Sequence, residues 1–471
     1  MPSRVQLPNN VVRRSAKYFL KNIGLEPIVR RALGKPPAKA LAKKGNVASK
    51  KAPTKGKVAP KKAPTNDITV KAVLSYMDAM LVRRPSLHAP VVLYFEGTMA
   101  NWYQLEMWLS ILNKLNQVVP VSLVIRNQSV FRRVVSVTNF QVILCITIDD
   151  LMKVYENSDI KCILYVNHAA KNFQSLINKD VLHVHINHGE SDKLSTITNQ
   201  ATAYDYVYVV GDAAWERYET NLLRKDMSRF VRVGRPQLEH IAPIAPDVIT
   251  FLEMQSDTPK KVVLYAPTWE GTHQSMNYSS IPEIGVNLVK TLLDDPGYRV
   301  IYKAHPNTGS RDDATSIAHQ EIIKLLKDHE DGLNVVGGDI NAIYPTIDIP
   351  IFDNSTVTID YLTQNRPFLL TDLFHRAVGL SEQPPILSAG CVVNSRDIKS
   401  ISDIIKYQLF SDPLSKVRSE VKSYYLGNFN YTAQESTQAF IEHIQSVILE
   451  RDNLMSERNE AVKPTSLFPT A

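Results

Sequence analysis

Four clusters of polar side chains each follow an apolar run, where predicted strands end. The clusters are HINHGESDK with His188, Gly189, Glu190 and Lys193; YAPTWEG with Thr268 and Trp269; YKAHPN with Lys303 and His305; and FDNSTVTIDYL with Asp353, Ser355, Thr356 and Asp360. Because the carboxyl ends of parallel strands meet at one edge of a sheet, we expect the clusters to face a common cleft. Imidazole, ammonium, hydroxyl and carboxyl groups gathered there predict proton transfer and phosphate binding.

Two histidines are the predicted catalytic residues. An imidazole whose pKa lies near ~6.5 suits His188 as the base that takes a proton from an attacking hydroxyl. His305 precedes a proline and lies two residues after Lys303, so both cations are expected to pair with a pyrophosphate and offset the charge of a leaving phosphate. A histidine at the core edge, bonded only to backbone, is the alternative for His305.

The fourth cluster opens a predicted helix near Ser355. Asp353 is expected to cap this helix, and the hydroxyls of Ser355 and Thr356 join its free N–H groups in a phosphate cradle. Asp360 lies on the same helix face as Thr356 and is expected to meet a hydroxyl of the ligand. The alternative is that Asp353 and Ser355 only cap the helix.

Several chemistries find no support in the sequence. Neither a Gly-x-Gly-x-x-Gly fingerprint nor a P-loop is present, which argues against a nicotinamide enzyme and a P-loop NTPase. His183 and His185 alternate along a strand, and we interpret them as structural because no zinc-site spacing accompanies them. Cysteines 145, 162 and 391 are far apart, and we interpret them as reduced thiols. We therefore predict catalysis without a metal ion or cofactor.

Short apolar runs alternate with helical stretches from about residue 90, which predicts parallel sheets covered on both faces. We predict two Rossmann-like, doubly wound α/β domains facing a cleft. The expected segments are a basic amphipathic helix over 1–33, a disordered linker over 34–66, an acceptor domain over 67–235, an interdomain linker over 236–260, a nucleotide-donor domain over 261–430, and a C-terminal helix and tail over 431–471.

The basic charge of the chain is concentrated in its first 66 residues. They hold 17 lysines and arginines against a single acid, Glu26, whereas the whole chain carries a net charge of +7. Residues 11–33 place an apolar stripe opposite a cationic face, which suits an anionic membrane surface or packing on the folded body. Residues 34–66 are rich in Lys, Ala and Pro and too poor in large apolar side chains to fold.

The motifs YAPTWEG, YKAHPN and DNSTVTIDYLTQNRP, with NHGESDK before them, resemble the CDP-glycerol glycerophosphotransferase family, the teichoic-acid polymerases and primases of bacterial envelopes. The resemblance covers about residues 180–375. It implies a GT-B fold with the nucleotide in the C-terminal half. It also implies a CDP-alditol donor and an acceptor on a lipid-linked glycan or polyol phosphate at the inner membrane face.

The resemblance also implies roles for individual residues. His188 matches the histidine proposed as the family's catalytic base, and His305 matches the one near the donor phosphates. The donor-binding pattern is matched by Ser355, Thr356, Asp360 and Arg366, with a threonine in place of the family's second serine. After Gly189 this chain departs from the family's Thr-Pro-Leu-Lys, placing Glu190, Ser191, Asp192 and Lys193 there. This change is expected to alter the choice of acceptor.

The sequence thus predicts a cytoplasmic transferase, peripheral at the membrane, that moves a glycerol-phosphate or related polyol-phosphate unit from a CDP-linked donor to a hydroxyl of an envelope acceptor. One alternative is a glycosyltransferase of the same fold that uses a UDP- or GDP-sugar. Another is a nucleic-acid-binding protein acting through the basic tail by phosphate neutralisation. That last reading is disfavoured because residues 34–66 contain no aromatic side chain to stack on bases.

Overall fold

The computed structural model describes residues 86–192, 197–254, 258–271, 277–371 and 384–461. The predicted amphipathic helix and linker over residues 1–66 lie outside the described residues, and so does Lys193. Within the described part of the chain, no helix combines the length and the apolar character that a membrane span requires.

The first sheet contains seven strands, which are β1 Val91–Phe95, β2 Val121–Ile125, β3 Gln141–Leu144, β4 Cys162–Tyr165, β5 Leu182–His185, β6 Tyr206–Val209 and β7 Phe230–Arg232. Their order is β3-β2-β1-β4-β5-β6-β7. The pairs β1–β2, β2–β3, β5–β6 and β6–β7 are parallel. All five residues of β1 and of β2 are buried, as expected for strands covered on both faces.

The second sheet contains six strands, which are β8 Lys261–Ala266, β9 Tyr298–Tyr302, β10 Gly332–Asn334, β11 Ile349–Phe352, β12 Leu369–Thr371 and β13 Cys391–Val393. Their order is β10-β9-β8-β11-β12-β13, and every pair is parallel. This is the strand order of a nucleotide-binding doubly wound sheet. From β8 the chain adds β9 and β10 on one side and then β11 to β13 on the other side. The order of the strands thus reverses between β8 and β11, and sheets of this kind bind ligands at that point.

The second sheet has a separate apolar core on each face. Val263 and Tyr265 of β8 belong to one cluster of buried residues, whereas the alternating Leu264 and Ala266 belong to another. This alternation is what a strand covered by helices on both sides requires. The predicted two-sheet α/β fold is therefore confirmed.

Helices connect most of the strands. They are α1 Trp102–Glu106, α2 Leu109–Val118, α3 Gln128–Val137, α4 Ile148–Glu156, α5 Asn172–Ser175, α6 Asp212–Asn221, α7 Pro246–Glu253, α8 Val286–Asp294, α9 Asp313–Lys327, α10 Thr356–Tyr361, α11 Ile386–Ala389, α12 Ile401–Ser411, α13 Ser415–Leu426 and α14 Glu435–Ala461. Residues 102–118 form two helices, α1 and α2, with a break at residues 107–108. The segment 236–260, expected to be a linker, contains α7.

The described residues divide into two compact units. The first contains residues 86–102, Asn116–Ile163 and Ala169–Val181, and the second contains Tyr103–Leu115, Leu164–His168 and the described residues from Leu182 onward. Every residue of the candidate site belongs to the second unit. The domain boundaries expected from the sequence remain a prediction.

Candidate functional site

His188 is held by backbone contacts in the turn after β5. The preceding Asn187 adopts a left-handed conformation with φ of 55°, and Trp108 donates its indole N–H to the Asn187 carbonyl at 2.7 Å. His188 Nδ1 lies 2.8 Å from the carbonyl oxygen of Val166. Since a carbonyl only accepts, Nδ1 carries the proton and Nε2 carries the lone pair. This is the tautomer that a base acting through Nε2 needs.

The surroundings of His188 keep its ring neutral. Burial is the main cause that lowers the pKa of His188 to about 4; the Val166 hydrogen bond opposes this shift, and the nearby Arg235 charge adds to it. Arg235 also donates from Nη1 to the His188 carbonyl oxygen at 3.1 Å. At neutral pH the imidazole is therefore uncharged and can accept a proton at Nε2.

Gly189 brings the His188 turn against the start of α10. A Cβ atom at Gly189 would lie 2.6 Å from Oγ1 of Thr356 and 3.1 Å from its Cγ2. These distances are too short for any side chain other than hydrogen. Two residues predicted for the site, Gly189 and Thr356, are thus in direct contact.

His305 follows β9 and has the complementary tautomer. Its Nδ1 accepts a hydrogen bond from the backbone N–H of Asn307 at 3.1 Å. In the neutral ring the proton therefore sits on Nε2, which acts as a donor. Trp269 stacks on His305, with ring centroids 5.7 Å apart and planes 16° apart. Trp269 and His305, each predicted for the site, are thus brought together.

Glu270 fixes the loop that carries His305. Its buried carboxylate accepts from the backbone N–H of Gly309 at 3.0 Å and from that of Arg311 at 2.7 Å. The glutamate of YAPTWEG therefore orients the segment after β9. The sequence contained no signal for this role, because it joins two separate strand ends.

Tyr103 of α1 contacts both histidines. Its ring stands edge-on to His188, with centroids 6.0 Å apart, and edge-on to His305, with centroids 5.5 Å apart. The next residue, Gln104, is buried, and its Nε2 lies 3.4 Å from His188 Nε2. His188 and His305 therefore share a neighbour, as one common site requires. Neither Tyr103 nor Gln104 was among the residues predicted from the sequence.

Asp353 does not cap α10, and this expectation is wrong. Ser355 is the residue before the first turn, and no side chain caps the helix there. The carboxylate of Asp353 instead accepts from the backbone N–H of Thr268 at 2.9 Å, that of Ser280 at 3.1 Å and the hydroxyl of Thr371 at 2.6 Å. Burial raises the pKa of Asp353, although these hydrogen bonds oppose the rise. Asp353 thus joins the ends of β8, β11 and β12 beneath the predicted donor site.

Asp360 forms a buried ion pair with Arg235. Arg235 Nε lies 2.9 Å from Oδ1 of Asp360, and Nη2 lies 3.2 Å from Oδ2. The same guanidinium holds the His188 carbonyl, so α10 and the His188 turn share one anchor. Arg235 is a positioning residue that sequence reasoning missed, because its partner lies 125 residues away.

In three other predicted site residues, the charged group of the side chain is bound to another group of the protein. The Lys303 ammonium donates to the carbonyl of Gly337, and burial lowers the pKa of Lys303. Glu190 is buried and forms an ion pair with Arg217. Arg366 Nη2 donates to the carbonyls of Ile347 at 2.6 Å and Asp348 at 3.1 Å. Those carbonyls precede β11, whereas Asp353 follows it, so Arg366 binds at the opposite end of the strand.

His183 and His185 of β5, which we interpret as structural, are both buried. His183 Nδ1 lies 2.8 Å from the hydroxyl of Tyr165, and His185 stacks on His168 with centroids 4.0 Å apart. Across the residues with assigned positions, no three His, Cys, Asp or Glu side chains group as metal ligands. Catalysis without a metal remains a prediction.

Comparisons with solved structures establish the fold. The wall teichoic acid polymerase TagF, in a crystal soaked with CDPG, matches with a TM-score of 0.52 and 14% identity over 82% of this chain and 94% of that one. The UDP-GlcNAc 2-epimerase of Neisseria meningitidis, bound to UDP-GlcNAc, matches with a TM-score of 0.50 and 13% identity over 76% of this chain and 100% of that one. Both are similar in architecture.

The sequence comparison agrees with the motifs. No curated protein sequence that was compared matches the chain. Residues 152–373 match the family model described as CDP-Glycerol:Poly(glycerophosphate) glycerophosphotransferase. This segment includes the turns of His188 and His305, the buried Arg235–Asp360 ion pair and the first turn of α10. Over residues 152–373, this chain is therefore similar to the CDP-glycerol:poly(glycerophosphate) glycerophosphotransferase family.

Proposed function

We propose that this chain transfers a glycerol-phosphate or related polyol-phosphate unit from a CDP-linked donor to a hydroxyl of an envelope acceptor, as in teichoic-acid synthesis. The observation that carries the proposal is the pair of histidines with opposite tautomers around Tyr103. His188 offers a lone pair on Nε2, whereas His305 has its ring proton on Nε2. One ring can therefore accept a proton while the other donates a hydrogen bond to phosphate.

The reaction follows from these tautomers. The oxygen of the acceptor hydroxyl attacks the β-phosphorus of CDP-glycerol, and its proton passes to His188 Nε2. The bond between the β-phosphorus and the oxygen that bridges to the α-phosphorus breaks, and CMP leaves with the electron pair. His305 donates a hydrogen bond to the phosphate as negative charge builds there. The arriving diphosphate also stabilises the His188 imidazolium, so the pKa of His188 rises when the site is occupied.

Donor binding by the start of α10 is part of the proposal. Thr356 presents its hydroxyl beside Gly189, and Ser355 precedes the free N–H groups of the first turn. Thr268 and Trp269 follow β8, next to the reversal of strand order in the second sheet. These groups, with Lys303, are proposed to contact the donor. Asp353, Asp360 and Arg366 contribute through the protein contacts described above.

The proposed acceptor is a lipid-linked or polymeric envelope glycan or polyol phosphate, reached at the inner face of the membrane. Glu190 beside the His188 turn distinguishes this site from the family motif and is proposed to restrict the acceptor. The basic segment 1–66 is proposed to hold the protein on anionic lipid, with residues 1–33 as its amphipathic part. Deleting residues 1–33 should lower cosedimentation with vesicles containing an anionic phospholipid but preserve turnover of a soluble acceptor. Unchanged cosedimentation would remove this segment as the anchor.

The function is tested by release of CMP from CDP-glycerol in the presence of a polyol-phosphate acceptor. His188→Ala and His305→Ala should each lower kcat by at least about 10²-fold, the usual contribution of a base or a preorganised donor. His443→Ala is the matched control, because His443 lies on α14, outside the site, where its Nδ1 is hydrogen-bonded to the hydroxyl of Tyr208. Turnover of UDP- or GDP-sugars with no release of CMP would instead assign the chain to the glycosyltransferases.

A further inference from the structure

The tyrosine between the two histidines has a defined orientation. The plane of the Tyr103 ring makes an angle of 77° with His188 and of 84° with His305. Both contacts are therefore edge-to-face, the geometry that aromatic rings favour. Packing on both sides fixes the ring where the base and the donor-side histidine meet.

Gln104 links the phenol to the base. Its Nε2 donates to the hydroxyl oxygen of Tyr103 at 3.3 Å and lies 3.4 Å from His188 Nε2. Asn167 donates to Gln104 Oε1 at 2.8 Å, which determines that the amide nitrogen faces the other two groups. The phenol oxygen and the lone pair of the base are thus each within reach of one amide nitrogen. Because the Tyr103 oxygen accepts from Gln104, its own hydrogen is directed elsewhere.

We propose that Tyr103 is a catalytic residue that donates its phenolic hydrogen bond to a non-bridging oxygen of the transferred phosphoryl group. The inference rests on the proposed function. While the acceptor oxygen bonds to the β-phosphorus and CMP departs, the acceptor proton goes to His188. Tyr103 shares its hydrogen with the phosphoryl oxygen and transfers no proton. Gln104 acts as a positioning residue for both the phenol and the base.

The environment of the Tyr103 phenol suits a hydrogen-bond donor. Burial raises the pKa of Tyr103 above its ordinary value of 10.0, so the hydroxyl keeps its proton at neutral pH. A hydrogen bond received from Gln104 polarises the hydroxyl and strengthens the bond that it donates. A preorganised donor of this kind typically contributes about 10²–10³-fold to kcat, because it strengthens only as charge develops.

Tyr103→Phe tests the proposal, because it removes the hydroxyl and retains the ring that contacts both histidines. We expect kcat for CMP release to fall by about 10²-fold. The dissociation constant for CDP-glycerol, measured by calorimetry, should stay within about twofold, since the bond forms mainly in the transition state. The pH dependence of kcat should keep its shape, because Tyr103 does not titrate in the reaction.

Tyr206→Phe is the matched control. Tyr206 also stands edge-on to a histidine, His443, at 4.9 Å, and its hydroxyl donates to Glu450 at 2.6 Å. Tyr206 is the first residue of β6 and therefore lies at the opposite end of the strands from the His188 turn. The kcat of Tyr206→Phe should be unchanged. If wild type releases CMP and Tyr103→Phe does so with the same kcat, the role of Tyr103 is refuted and the function stands. If wild type releases no CMP with any polyol-phosphate acceptor, the proposed function itself fails.

Discussion

Replacing Asp360 by asparagine should destabilise the protein strongly. The substitution preserves the shape of the side chain and removes its charge, so the Arg235 guanidinium is left buried without a counter-charge. The two side chains are only 4% and 5% exposed. Removing one partner of such a pair costs about 3–5 kcal/mol of the free energy of unfolding. For a unit of this size, about 2 °C per kcal/mol converts this to a melting temperature lower by about 6–10 °C.

A double-mutant cycle with Arg235→Met and Asp360→Leu isolates the pair. The double variant has no buried charge and should recover to within about 1 kcal/mol of wild type, because well-packed apolar residues often replace a buried ion pair without loss. Asp212→Asn is the matched control. Its ion pair with Arg232 is 2.7 Å long but 41% and 54% exposed, so the expected cost is about 1 kcal/mol or less.

Thermal unfolding and calorimetric binding of CDP-glycerol, measured on the same samples, decide the role of Asp360. If Asp360 contacts a donor hydroxyl instead, Asp360→Asn would weaken CDP-glycerol binding and leave the melting temperature unchanged. That outcome would refute the assignment of the Arg235–Asp360 pair as a structural anchor.

Two further predictions follow from the same region. Burial lowers the pKa of His168 and of His188 to about 4 and that of His185 well below 6.5. The unfolded chain therefore binds more protons between pH 6.5 and about 4. Stability should be full above pH 6.5 and fall as pH decreases through this window, by about 1.4 kcal/mol per pH unit for each proton. His185→Gln should reduce the slope of the free energy of unfolding against pH by the equivalent of one proton, as measured by urea unfolding at several pH values. An unchanged slope would contradict this. Gly189→Ala should lower the melting temperature because its Cβ would lie 2.6 Å from Thr356 Oγ1. Thr356→Ala in the same chain removes the clash, so failure to recover stability would place the strain elsewhere.

The two-sheet α/β fold could be predicted because short apolar runs in the sequence mark most of its strands. The apolar runs VVLYF and VSLVI coincide with β1 and β2, because strands covered on both faces consist of consecutive buried residues. The strands β7 and β13 are harder to predict. Each has three residues, with partly exposed side chains at a sheet edge, so neither shows an apolar run of the usual strand length. The break between α1 and α2 is also hard to predict, because the apolar residues on both sides keep helical spacing.

The candidate site was predictable only in part. His188, His305, Gly189, Thr356 and Trp269 could be found because each directly follows a strand or opens a helix. The contacts that hold them could not be found in this way. Arg235 pairs with Asp360 across 125 residues, and Gln104 meets His188 across 84 residues. Arg366 was assigned to the donor from its motif alone, and its actual partners depend on which end of β11 it reaches.

The buried carboxylate of Asp353 has a consequence for ligand affinity. It already ties the segments of Thr268, Ser280 and Thr371 together in the protein without ligand. A nucleotide that binds above these segments does not need to order them, so little conformational entropy is lost there on binding. Amide hydrogens of Thr268 and Ser280 should consequently exchange slowly with solvent both before and after the nucleotide is added.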